Sequence, residues 1–200
     1  MGSIEKPSPV LMFCAVYGQQ PESLQWARLQ MVKTWGPIAL ASTEMQFQDT
    51  SYYEATMGAN LRKQLLAFHH LRAPEDLPPT KIQSNQWEKQ YLESGTFDVQ
   101  RPVNIDPGYV TLAKLVLATT KDRDHRLYLG QGIFAEVTLH YKHGQWRSDR
   151  WTYPDFQRPE YHQFLEQCRE LLKGKLRVTN DPIKASQQIT GLIVDPLTGV

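Results

Sequence analysis

The sequence predicts an α+β fold: a single domain in which a mixed, mainly antiparallel sheet is covered by helices. Three observations point there. The chain opens on a strand–helix–strand pattern, two later strands meet around Gly130-Gln131-Gly132, and 200 residues suit one domain large enough to bury a core without staples.

The elements follow in order. Val10 to Tyr17 is a compact apolar run ended by Gly18, the pattern of a buried strand. Pro21 and Glu22 open an amphipathic helix that sets Leu24, Leu29, Val32 and Trp35 on its apolar side and stops at Gly36-Pro37. Ile38 to Phe47 has no helical stripe and reads as extended. From Asn60 to Leu71, Leu61, Leu65, Leu66 and Phe68 follow helical spacing, with Arg62 and Lys63 turned elsewhere. Three prolines make Ala73 to Thr80 a connection, and Lys81 to Leu92 resumes a helix with Ile82, Trp87 and Tyr91 for packing. Val103, Ile105 and Val110 flank Asp106-Pro107-Gly108-Tyr109, which has the residues of a type II turn. Thr111 to Thr120 fits a helix with Thr111 as N-cap, while its Leu115-Val116-Leu117 centre suits a strand. His125 to Leu129 and Ile133 to Tyr141 read as strands, the second with Ile133, Ala135, Val137, Leu139 and Tyr141 on one side. Glu160 to Leu172 forms a last helix with an apolar stripe through Tyr161, Phe164, Leu165 and Cys168. The expected domain covers 7–176, and residues 177–200 form a C-terminal extension.

Composition narrows the function. With 22 Lys and Arg against 21 Asp and Glu, no basic field exists to hold a nucleic acid, which disfavours such a partner. Met1 to Pro9 is polar, and the longest apolar run is far too short for a membrane span, so the expected location is the cytoplasm with no membrane partner. Cys14 and Cys168 sit in apolar patterns and read as buried thiols. The sequence contains no phosphate-binding Gly-Lys-Ser/Thr loop, no Gly-x-Ser-x-Gly elbow and no paired Cys-x-x-Cys framework. His69-His70 and His140-x-x-His143 have no carboxylate or Cys within the same few residues to complete a local ligand set, so no metal site is assigned.

Several segments in fixed order carry a resemblance: Thr50-Ser-Tyr-Tyr-Glu54-Ala-Thr-Met57-Gly58, then Lys81 with Ser84, Asn85 and Glu88, then the block from Arg101 to Asp155. Over most of 7–176 the chain resembles a prokaryotic family catalogued as domain of unknown function 4416. The resemblance implies no reaction, and the GTP-binding label that some members carry is unsupported here without a phosphate loop.

The residues themselves suggest a site. Lys and Arg grip phosphate or carboxylate, so Arg101, Lys121, His125 and Arg126, with Asn104 at the Pro-Gly segment, are expected to hold a small anionic ligand. Glu54, Asp106 and Glu136 are the candidates for acid–base chemistry or for a cation ligand, and magnesium is the cofactor that a phosphate would bring with it. Glu54 stands in an otherwise uncharged stretch, where burial would raise its pKa unless Arg62 or Lys81 meets it. Lys81, Asn85 and Glu88 share a helical face, suited either to a cleft or to water. Bland roles compete: Asp106 as a turn residue, Glu136 in a cross-strand pair, and Asp122 to Asp124 as a solvated turn. The rival function is a protein-interaction module with Trp146, Trp151 and Tyr153 as its rim. The sequence sets no oligomeric state.

Overall fold

The computed structural model describes residues 2–47 and 53–179. The expected extension therefore falls almost wholly outside the described residues, as does the Thr50 to Tyr52 part of one motif. The chain folds as an α+β domain around a nine-stranded sheet in which all recorded strand pairs are antiparallel.

Among the described residues nine strands form the sheet: β1 (Val10–Gly18), β2 (Ile38–Ala41), β3 (Met45–Phe47), β4 (Leu61–Arg72), β5 (Val103–Val110), β6 (Lys114–Thr119), β7 (Leu127–Gly130), β8 (Ile133–Lys142) and β9 (Gln145–Ser148). Their main path runs β2-β4-β1-β5-β6-β8-β7, with β3 on β4 and β9 on β8. Helices α1 (Pro21–Trp35), α2 (Glu54–Met57), α3 (Leu77–Glu93) and α4 (Pro159–Thr179) complete the domain. Strand β1 is buried along its whole length, and its side chains alternate between two cores. Leu11, Phe13 and Ala15 meet Tyr161, Phe164, Leu165 and Cys168 of α4, while Met12, Cys14 and Val16 meet α1 and α3.

Several expectations are corrected. The segment read as a helix from Asn60 to Leu71 is the long strand β4. It is paired on both edges, so it carries apolar residues on both faces: Leu65 and Ala67 toward α4, Leu66 and Phe68 toward α1. That double burial imitates helical spacing. On α1, Leu29 and Val32 are exposed, and the buried stripe is Leu24, Ala27, Met31 and Trp35. Gly36, at φ +97°, makes the stop. The connection before Lys81 is shorter than expected. Pro74 opens a 3-10 turn, and Pro78 and Pro79 lie in the first turn of α3, where their missing N–H groups have no helical partner to lose. Residues 114–119 are a strand, and Thr111 caps a hairpin turn, its Oγ1 accepting from the N–H groups of Ala113 and Lys114. In β8 the register skips Thr138, so Ile133, Ala135 and Val137 face α3 while Leu139 and Tyr141 face α4.

The Asp106 to Tyr109 segment makes no turn and runs through the middle of β5. Gly108 is needed there for closeness: a Cβ would lie 2.3 Å from the Val116 carbonyl oxygen and 2.7 Å from Leu117 Cδ2. Gly108→Ala is expected to cost about 1–3 kcal/mol of stability through strand displacement, read by urea denaturation. Pro107 has the opposite effect on the same pair. Ile105 turns its N–H and C=O away from β1, toward α3 side chains, so by alternation Pro107 presents its N–H-less nitrogen to the β6 side. The β5–β6 ladder ends one residue later in chain order, at Gly108 opposite Leu117. Beyond it the two strands part, and that gap builds the site.

Candidate functional site

The gap between the start of β5 and the end of β6 opens into a cleft of about 380 Å³. From the α3 face, Lys81 reaches through it. Its Nζ donates to the Ile105 carbonyl at 2.9 Å and to Asp106 Oδ1 at 3.0 Å. Glu88, two turns along α3, accepts the Ile105 N–H at 2.7 Å. These two side chains thus replace the strand that Ile105 lacks. From the other face Tyr17 donates its hydroxyl to Asp106 Oδ2 at 3.1 Å, with the Tyr53 ring edge-on to it. Arg101 donates to Asn104 Oδ1 and reaches Glu88 at 3.4 Å.

The opposite wall is organised by Arg126. Its guanidinium donates to Glu136 Oε2 at 2.9 Å, to the Lys121 carbonyl at 2.9 Å and to the Tyr153 hydroxyl at 3.3 Å. Buried Glu136 also lies 3.0 Å from His125 Nε2, and the His125 ring stacks flat on Trp151.

Burial and charge set the titration of these groups. Burial works against the Asp106 carboxylate, but the Lys81 ammonium and its hydrogen bond outweigh it and hold the carboxyl below its ordinary value. Burial, only partly relieved by Lys81, pushes the Glu88 carboxyl up, and Asp106 adds to that rise. Burial and the Asp106 charge raise both Tyr17 and Tyr53, so both phenols stay protonated. For Arg101 the Glu88 and Asp106 charges and the hydrogen bond to Glu88 overcome burial and strengthen the cation.

Of the residues singled out from sequence, Arg101, Asn104, Asp106, Lys121, Arg126 and Glu136 line the cleft. His125 stands behind Glu136, outside the lining. Glu54 is exposed at the start of α2 and does not line it, so the expectation of a buried carboxylate there is corrected. Asp106 acts as an ion-pair partner instead of a turn residue. The sequence reading raised Lys81, Asn85 and Glu88 without assigning them; their shared helical face was the signal. Tyr17 and Tyr53 gave no signal, because only the topology brings them to Asp106.

A protein-family model described as Domain of unknown function (DUF4416) matches residues 8–172. The chain belongs to that family. No curated protein and no solved structure matches it significantly. In this DUF4416 member the matched stretch holds the whole cleft lining, from Tyr17 to Tyr153.

Other features limit the chemistry. Cys14 and Cys168 are free and buried, and burial raises both thiols far from the reactive thiolate form. Among the described residues no group of three or more His, Cys, Asp and Glu is placed to hold a metal ion, and no helix is long and apolar enough to cross a membrane. Of the aromatic rim expected for a partner module, Trp146 is buried, Trp151 is part-buried under His125 and bonded to the Val137 carbonyl, and Tyr153 is exposed.

Proposed function

We propose that this protein binds a small anionic ligand, carrying a carboxylate or phosphate, in the cleft between β5 and β6. The observation that carries the reading is the convergence there of Arg101, Lys121 and Arg126 with Lys81, against the three acids Glu88, Asp106 and Glu136. The cavity of about 380 Å³ falls within the roughly 300–1,000 Å³ of small-molecule sites. Asp106, held ionised, supplies a carboxylate for acid–base chemistry on the bound anion. The buried free thiols fit a reducing compartment, and we assign the protein to the cytoplasm.

A thermal-shift screen against nucleotides, sugar phosphates and carboxylic metabolites, with and without magnesium, tests the reading, since a ligand of the native state raises the melting temperature. Hits are expected to lose their effect in Lys121→Ala and Arg126→Ala. Hits of undiminished size in both variants would move the anion elsewhere.

A further inference from the structure

Two carboxamides on the cleft are not used up by the fold. Asn104 is 2% exposed, and its Oδ1 faces the Arg101 guanidinium, which turns its Nδ2 away from that cation. The Nδ2 is buried and makes no hydrogen bond, although Asp106 lies close enough to feel the carboxamide. A buried donor left so is costly and calls for an acceptor from outside the chain. Asn85 makes no side-chain hydrogen bond among the described residues. It stands one turn from Lys81 and from Glu88 on the same face of α3, and both of those touch Ile105. Asn85 therefore lies against the stretch of β5 that carries Asn104, and both residues line the cleft.

The neighbouring groups narrow what those carboxamides meet. Each acid of the lining is already paired, Glu88 with Arg101 at 3.4 Å, Asp106 with Lys81 at 3.0 Å and Glu136 with Arg126 at 2.9 Å, so none is spare for an ammonium group. Tyr17 and Tyr53 meet edge-on at 71°, which leaves no flat slot between them for an aromatic heterocycle. A hydroxyl suits the lining better, because it both donates and accepts, as a carboxamide does. Arg101 commits one terminal nitrogen to Glu88 and Asn104, and an arginine has further donors for an anion beside them. Resting on the anion site above, we propose that the ligand is a polyhydroxylated anion, a sugar acid or a sugar phosphate. Its anionic group meets Arg101, and its hydroxyls meet Asn85 and Asn104.

Calorimetric titration with two matched pairs tests this: gluconate against hexanoate, and sorbitol 6-phosphate against hexyl phosphate. Within each pair the anion and the carbon chain are kept and the hydroxyls are removed. The hydroxylated member of one pair is expected to bind, with its hydroxyl-free partner weaker by about tenfold or more, the worth of one good hydrogen bond. The pair that responds identifies the anion as carboxylate or phosphate. Asn85→Ala is expected to bring the two members of that pair together, since its loss falls on the hydroxylated one, and melting without probe checks its fold. Equal binding within both pairs would overturn the proposal while leaving the anion site standing, as would an undiminished ratio in both Asn85→Ala and Asn104→Ala. Silence of both hydroxylated probes would overturn it too; a hit in the metabolite screen would then keep the anion site, and an empty screen would remove both.

Discussion

Lys63→Met is expected to lower folding stability by about 3–5 kcal/mol, the scale for stranding one partner of a buried ion pair. Lys63 and Asp155 are both buried, 2.5 Å apart. The ammonium also sits 4.7 Å from the ring centroids of Phe47 and Phe156 and 5.0 Å from that of Tyr17. Methionine fills the volume of the stem but leaves the Asp155 carboxylate in an aromatic pocket without its cation. The double variant Lys63→Met with Asp155→Leu is expected to regain most of the loss, because an apolar pair carries no desolvation cost. Urea denaturation of the three variants reads both effects; a single variant within about 0.5 kcal/mol of wild type would show the pair to be energetically idle. The pair matters to the site, since Tyr17 lies between Lys63 and Asp106.

Lys81→Met is expected to cost about 2–3 kcal/mol, because it removes two hydrogen bonds made by a charged group and leaves the Asp106 carboxylate unpaired. Asp106 gives the loss a pH signature. Its folded carboxyl titrates below the unfolded value of about 3.9, so its contribution is complete above that pH and disappears as pH falls through the lower folded value. The stability difference between wild type and Lys81→Met should therefore be full at neutral pH and shrink as the solution is acidified below about pH 4. A difference independent of pH would assign the loss to packing alone.

The α+β class and the early strand–helix–strand were legible because α1 and β1 are punctuated by Pro21, Gly18 and Gly36. Strand β4, paired on both edges, buries both faces and loses the period-two pattern, so Leu61 to Phe68 imitates a helix. Asp106-Pro107-Gly108 has the residues of a turn for another reason, since Gly108 is there for its close approach to Val116. Charge at the ends of apolar runs was enough to find Arg101, Asp106, Lys121 and Arg126. It was not enough to find Tyr17, Tyr53 or Lys63, whose chemistry depends on strand order: Lys63 pairs with a residue 92 positions away. Glu54 misled because an isolated carboxylate in an uncharged stretch reads as buried, although its short helix leaves it in solvent.

Backbone amide chemical shifts during titration of a hit from the ligand screen test the central claim most directly. The anion site predicts perturbations concentrated on Asn104 to Asp106 and on Ala118 to Lys121, the two walls of the gap, and absent in Lys121→Ala at the same ligand concentration. Saturable shifts clustered elsewhere, with both walls unmoved, would contradict it.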